Sequence, residues 1–365
     1  MSCVLVADEE APQAGHHGGA ARMLELLRLL RADGHRVAFA SRRPWTADHP
    51  GSAAHLTTLG VTPVHCHTAD WLAEHKPDAV LASRLHVAGE VLPIARKHSP
   101  TSRFIYDAVH VEYLAKYRMA KITGNRPLLA AAVADKAAER EVVAGADAVV
   151  ATSEEDAVEL RRLHADADVH IVPAVHAHPD SSDLTAGART GIVFLGYLGM
   201  AENELAVRRL VDHVWPQIQS AAGPTPLTVI GAAPPAWLLT AVKDRPGLTV
   251  PGRLADVDSA LRGAAVMVVP LAGGAGVKTK VLHAFARFLP VVATADGLRG
   301  VPAASGIHAL QADSDSDLAE CAVRVLRDPK LGTDLAHRAA ALLRDRFNDD
   351  VNRVALCAAL RCHRA

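Results

Sequence analysis

The sequence predicts an α/β protein built from two Rossmann-like, doubly wound parallel-sheet domains. Short apolar runs of strand length alternate with longer stretches of helical period. The alternation comes as two series of similar size, separated by a stretch with no apolar period. Glycine-rich turns stand directly after strand-like runs, where sheets of this kind bind their ligands.

The first series opens with CVLVA (3–7), then RMLELLRLLR, whose Met23, Leu24, Leu27 and Leu30 line one helical face, then HRVAFAS. DAVLAS (78–83), RFIYDA (103–108), DAVVAT (147–152) and HIVP (170–173) follow as continuous apolar strands, the pattern of a parallel sheet covered on both faces. Between Val175 and Arg189 the chain is rich in small, polar and turn-forming residues. The second series is GIVFLGYL, LTVIG, LTVPG, VMVVPL, PVVAT and HALQA, separated by helix-length segments such as NELAVRRLVDHVWPQI. The expected division is 1–176, a linker at 177–190, 191–345, and a C-terminal helix at 346–365 that returns towards the first domain. The expected site is the cleft between the two domains.

A chain of 365 residues, 50% hydrophobic and 22% charged, is long enough for two cores. Its formal net charge of −1 excludes a broad attraction to nucleic acid or anionic membrane, so any anion site must be local. No apolar run reaches the ~18 residues of a membrane span, and MSCVLVADEE lacks a basic leader region; the expectation is a cytoplasmic protein. Five scattered cysteines, Cys3, Cys66, Cys321, Cys357 and Cys362, form no disulfide framework and are expected as reduced, mostly buried thiols. Abundant alanine and arginine suggest a GC-rich bacterial source.

The most informative stretch is PLAGGAGVKTKVLHAFARFLPVVAT, Pro270 to Thr294. A nucleotide-hydrolase loop needs GxxxxGK[ST]; here Val277 precedes Lys278-Thr279 and Gly276 is one position early, so that reading is rejected. What remains is a strand, the loop Ala272-Gly273-Gly274-Ala275-Gly276, and a helix from near Val277 to Arg287. Glycines let backbone N–H groups close on a ligand, a helix N-terminus adds partial positive charge, and Lys278 and Lys280 add full charges. A phosphate or diphosphate fits such a loop; a plain strand-helix turn with solvated lysines has the same spacing.

This stretch resembles the donor-site signature of glycosyltransferase family 4, retaining enzymes of the GT-B fold, whose bacterial members carry runs similar to GxGxKxKxLEAxAxGxPVVAT followed by GxxG. Gly274, Gly276, Lys278, Lys280, Leu282, Ala284, Ala286, Pro290, Val291, Val292, Thr294, Gly297 and Gly300 fit that pattern. FLGYLG (194–199) with AVRRLVDHVWP, GRLADV (252–257) and ADAVVATSEEDAVELRRL (146–163) look like further segments of the same family, so the resemblance spans nearly the whole chain. It implies two facing Rossmann-like domains, with the diphosphate of a nucleotide sugar on the Gly274–Lys280 loop. A small or lipid-linked acceptor is then held mainly by the first domain. It implies no cofactor and no metal, because lysines, arginines and helix dipoles neutralise the leaving diphosphate. Along the donor site it brings in Gly274, Ala275, Gly276, Val277, Lys278, Lys280, His283, Arg253 after LTVPG, and Gly199. Glu202 and Asn203 open the next helix near the donor phosphates, where a plain helix cap is the alternative.

The chain departs from the pattern at two carboxylates. His283 stands where a glutamate chelates the nucleotide ribose, and Ala275 where another often contacts the sugar. An imidazole accepts one hydrogen bond at most, so the nucleoside grip should be weaker or differently made. Phe288 stands where a small residue, commonly glycine, is usual. An active enzyme with an unusual donor, one that holds the ribose another way, and a GT-B scaffold that has lost catalysis all remain open. An epimerase on the same fold is disfavoured by the order of motifs.

In the first domain, Gly15, Gly18 and Gly19 follow CVLVA in a loop that the resemblance places beside the reactive centre, where its N–H groups can reach acceptor or phosphate; a flexible polar loop is the alternative. FIYDAVHVEYLAKYR (104–118) follows a strand end and resembles YDTVDLHFLR of relatives. His110 is the first catalytic candidate, with Asp107 and Glu112 as neighbours able to orient it or take the acceptor proton; a helix cap with a polar face is the alternative. His65-Cys66-His67 with Asp70 offers metal-type side chains, but consecutive strand residues face opposite ways, so only His65 and His67 share a face and no metal is expected there. His176 and His178 fall in the linker.

Overall fold

A computed structural model of the chain describes residues 2–13, 18–45, 50–173 and 189–361. The chain divides into two compact units, Met1–Val175 with Asp349–Ala365, and His176–Asn348. Of the linker expected at 177–190 only Arg189 and Thr190 are among the described residues; Gly15, His176, His178 and Cys362 are outside them.

The first unit is a seven-stranded parallel sheet of β1 (Cys3–Asp8), β2 (Arg36–Ser41), β3 (Val61–Val64), β4 (Ala79–Ser83), β5 (Arg103–Asp107), β6 (Ala148–Ala151) and β7 (Val169–Ile171). Its order is β3-β2-β1-β4-β5-β6-β7. The apolar runs are continuous because both faces are covered. Leu5, Ala7, Val80 and Phe104 enter one core, and Val4, Val6, Leu81 and Ile105 the other. The helix Asp349–Leu360 belongs here: Leu356 and Ala359 join the second core, Arg353 pairs with Asp33 at 2.6 Å, and Arg103 Nε donates to the Ala359 carbonyl at 2.7 Å. Burying Leu356 contributes about 2 kcal/mol. Strand β3 escaped the sequence pattern because Pro63 interrupts it; its place at the edge of the sheet tolerates the missing donor.

The second unit holds six parallel strands, β8 (Ile192–Leu195), β9 (Leu227–Ile230), β10 (Leu248–Gly252), β11 (Val266–Val269), β12 (Val291–Ala293) and β13 (Leu310–Gln311), in the order β10-β9-β8-β11-β12-β13. NELAVRRLVDHVWPQI is helical, with a π segment at Leu210–Val214 just ahead of Pro216, which cannot donate to the ladder. Arg245 meets the loosened turn, donating to the Val211 carbonyl at 2.5 Å and to Asp212 at 2.7 Å. The helix after β11 runs Thr279–Ala286, two residues later than expected, since Lys278 caps it without helical backbone. Phe288 adopts φ 50°, the left-handed region that suits the glycine usual there, and its ring is buried against Ala336, Ala340 and His337.

Among the described residues Cys3, Cys66, Cys321 and Cys357 are free, but Cys66 is exposed and the others only half-buried, which corrects the expectation of mostly buried thiols. No helix among them is long and apolar enough to cross a membrane. They contain no group of three or more histidine, cysteine and carboxylate side chains set to hold a metal; His65 packs its ring against Trp45 at 5.2 Å.

Candidate active site

Each sheet has a point where successive strands change direction of travel: β1 next to β4 in the first unit, β8 next to β11 in the second. Open α/β sheets bind ligands beyond the strand ends at such points. Most of the sequence-derived candidates gather at these two places.

In the second unit the loop after β11 carries Gly273, Gly274 and Gly276 at φ 81°, 81° and 68°, backbone that side chains rarely adopt. The Gly273 N–H donates to Asp296 Oδ2 at 2.7 Å, and the Lys278 N–H to the Arg299 carbonyl at 3.3 Å. The Thr294 hydroxyl donates to the Leu271 carbonyl at 2.6 Å. The turn after β12 therefore holds the glycine loop. Gly300 fits because a Cβ there would come within 2.8 Å of Val277 Cα.

Lys278 is only 5% exposed and its Nζ donates to the Ala275 carbonyl at 2.9 Å. Lys280 Nζ donates to Asn203 Oδ1 at 2.5 Å and stands 4.6 Å over the Phe194 ring. Asn203 is fixed in turn, its Nδ2 donating to the Tyr197 carbonyl at 2.9 Å. Burial, with Lys278 adding to it and Glu202 opposing, lowers the Lys280 ammonium to about 7. The Glu202 carboxylate lies against Gly274, where a Cβ would come within 2.7 Å of Oε2 and 3.0 Å of Lys278 Nζ.

Sequence reasoning missed Gly196 and weighed Asn203 only as a cap. A Cβ on Gly196 would meet Lys280 Nζ at 2.9 Å and Asn203 at 3.0 Å, so the first glycine of FLGYLG, more than Gly199, shapes this corner. Gly199 is exposed and lies against the Tyr197 ring. Arg253 is exposed beyond β10, an edge strand separated from β8 by β9. His283 Nε2 is paired with Asp258 Oδ1 at 2.8 Å, and Arg287 reaches Asp258 Oδ2 at 2.5 Å. Although partial burial opposes it, Arg287 and His283 bring Asp258 down to about 2. A carboxylate thus stands beside His283, supplied from a different helix, Val257–Gly263.

In the first unit Gly18 and Gly19 open the helix Gly18–Ala32. After β5 the chain makes a tight turn in which the His110 N–H donates to the Ala108 carbonyl, with Val109 at φ 56°. A β-branched residue in that region is strained, and the surroundings hold it there: the Ala108 N–H donates to the Val150 carbonyl at 2.9 Å, and the Thr152 hydroxyl to the Val109 carbonyl at 3.0 Å.

His110 Nε2 meets Glu112 Oε2 at 2.8 Å. Lys116 lies 3.3 Å from Glu112 and 2.5 Å from Asp135. The hydrogen bond from His110, opposed by burial and helped by Lys116, brings the Glu112 carboxyl down to about 2. Glu112 is therefore an ionised partner for His110 at neutral pH. Buried Glu139 anchors the start of its helix, accepting from the Tyr106 hydroxyl at 2.9 Å and from the Glu112 N–H at 3.3 Å. Burial pushes Glu139 up to about 7 against those bonds. Beside Glu112 a cavity of about 540 Å³, lined among others by Leu85, His86, Lys116 and Asp135, opens between helices.

Asp107 corrects the sequence reading. It is fully buried, accepting from both Arg22 amino groups at 2.7 and 2.8 Å and from the Ser83 hydroxyl at 2.5 Å. As the last residue of β5 it points into the sheet end rather than to His110, so it braces the strand and does not orient the imidazole.

Residues 189–328 match the family model described as glycosyl transferases group 1. The chain is a glycosyltransferase. Comparison with curated proteins gives no match. Among solved structures, the glycosyltransferase is similar to sucrose-phosphate synthase from Thermosynechococcus elongatus, with a TM-score of 0.77 at 16% identity over 99% of this chain and 98% of that one. Anabaena HepE in complex with UDP gives 0.72 at 12% identity over 100% of both. A mutant of S. aureus TarM in complex with Fondaparinux, α-GlcNAc-glycerol and UDP gives 0.75 at 7% identity over 99% and 100%. These likenesses establish the two-domain Rossmann-like GT-B fold.

Proposed function

We propose that the chain is a retaining transferase of glycosyltransferase family 4 that moves a sugar from a nucleotide diphosphate donor to a small-molecule or lipid-linked acceptor, in the bacterial cytoplasm and without a metal. The observation that carries this reading is the Gly273–Lys280 segment at the β8/β11 switch point. Three left-handed glycines put no Cβ between its backbone and a ligand, and two inward lysines stand beside it. HepE bound to UDP-glucose is a structural neighbour that supports the choice of donor class.

In this reading the diphosphate sits on the loop, and Lys278 and Lys280 stabilise the charge that develops as the anomeric C–O bond breaks. The bond's electron pair leaves with the diphosphate, the acceptor oxygen bonds to the anomeric carbon, and the acceptor's proton passes to His110, whose other nitrogen Glu112 orients. No metal is needed because fixed cations stand where the leaving charge forms. The nucleoside is gripped through the His283–Asp258 pair, which brings back a carboxylate that the chain lacks at position 283.

The test is a titration with UDP-, GDP-, TDP- and ADP-sugars, followed by turnover assays with EDTA present. Lys278→Ala and Lys280→Ala should each reduce turnover by about 10²–10³-fold, since each removes a charge facing a dianionic leaving group. Full activity in both variants would displace the diphosphate from this loop, and activity abolished by EDTA would overturn metal independence.

A further inference from the structure

The switch point of the first unit holds an arginine that nothing above accounts for. Asp8 ends β1 and Arg84 follows β4 directly, so the two face each other where the sheet order reverses. Arg84 has φ 74° and ψ 147°, a backbone region that is nearly the preserve of glycine. Its N–H donates to the Asp107 carbonyl at 2.9 Å, and its Nε to Asp8 Oδ1 at 2.8 Å. Asp8 is 3% exposed and also accepts from the Glu9 N–H at 2.7 Å.

The guanidinium is thus aimed by a strained backbone and a buried carboxylate, while its two amino groups have no partner among the described residues. The Arg84 side chain is 23% exposed, so it is within reach of a ligand from solvent. The neighbouring acids are engaged elsewhere: Glu9 with Arg42, Arg43 and His86, and Asp107 with Arg22 and Ser83. Leu85 and His86, the next two residues, line the cavity that also borders Glu112. A fork of two N–H₂ groups held by its Nε matches an oxyanion with two acceptor oxygens.

We infer that Arg84 binds an oxyanion carried by the acceptor, a phosphate or a carboxylate, at the β1/β4 switch point. The inference rests on the reading of the first unit as the acceptor side. It makes the acceptor an anionic molecule rather than a neutral one.

The experiment is amide-shift mapping by NMR on the full chain, with inorganic phosphate and acetate as probes and chloride at matched ionic strength as control. In the unaltered protein, phosphate or acetate should shift the amides of Glu9, Arg84 and Leu85 saturably. The double variant Asp8→Asn with Arg84→Gln, which leaves no buried charge unpaired, should weaken that binding by at least about 10-fold, and Arg84→Lys by less. Preference for phosphate identifies a phosphorylated acceptor, and equal or stronger response to acetate a carboxylated one. Unmoved amides, a response reproduced by chloride, or equal affinity in the double variant would overturn the assignment. UDP titration read at Gly274 and Gly276 reports the donor reading separately, so either can fail alone.

Discussion

The two units solve one problem in opposite ways. Each presents the carboxyl ends of a parallel sheet, yet the second sets left-handed glycines after β11 while the first sets strained side-chain-bearing residues after β4 and β5. Gly273, Gly274 and Gly276 take left-handed backbone at no steric cost, and the Gly273 N–H is tied to Asp296. Arg84 and Val109 take comparable backbone at a cost of roughly 1–3 kcal/mol each and aim a side chain, their own or the next one. In the proposed reading the glycine loop receives a ligand between its backbone and two lysines. The first unit is built to hold a guanidinium and an imidazole at fixed angles.

The sharpest way to break this comparison is pH, because only the second unit relies on a lysine kept near neutrality. Lys280 has its proton affinity lowered to about 7 in the folded chain, against 10.5 ordinarily. Between those values the unfolded chain holds a proton that the folded one lacks, so this group makes stability rise with pH across that window. Binding a diphosphate restores the charge and takes up a proton. UDP-sugar affinity, whose diphosphate does not titrate in this range, should therefore be flat below pH 7 and fall by a factor approaching about 10 per pH unit above it. Calorimetry in buffers of different ionisation heat reads the proton uptake directly, and a pH-independent affinity from 6 to 9 would show that Lys280 does not face the diphosphate.

A smaller effect separates backbone from side chain within the glycine loop. Gly274→Ala forces a Cβ into backbone at φ 81° and to within 2.7 Å of Glu202 and 3.0 Å of Lys278 Nζ. Both neighbours are flexible ends, so the chain should fold with a loss of about 1–2 kcal/mol, while the displaced lysine weakens UDP binding about 10-fold. Unchanged affinity with lowered melting temperature would mean that the glycine serves the turn alone.

The glycine loop was legible in the sequence because glycine spacing and lysines encode it almost one for one. The strands were legible because burial on both faces writes continuous apolar runs, as in CVLVA and VMVV. What was not legible depends on contacts between distant positions. Asp258 reaches His283 from 25 residues away. Asp107 looked like a partner for His110 three residues on, but Arg22, 85 residues earlier, claims it. Gly196 matters only because Lys280 folds against it. Arg84 could not be singled out at all: its residue type is ordinary, and its backbone angle, not its identity, marks it.

The last test addresses whether strain in the first unit has a use. Val109 lies half-buried at φ 56°, with its carbonyl held by Thr152 and the following N–H closing the turn on Ala108. Val109→Gly removes the steric conflict while keeping every backbone hydrogen bond. If the strain were incidental, the variant would gain about 1 kcal/mol from relief, less what glycine loses in chain entropy, and work as before. If the stiff valine holds His110 at its angle to the reacting carbon, the variant should keep or slightly raise its melting temperature and lose several-fold in kcat, with donor KM unchanged because the glycine loop lies in the other unit. A glycine in the turn gives His110 more room than a positioned imidazole needs, so Val109→Ala, which keeps the strain and loses only the branch, should fall between the two. Equal loss in both variants would instead assign the effect to the missing methyl groups and their packing.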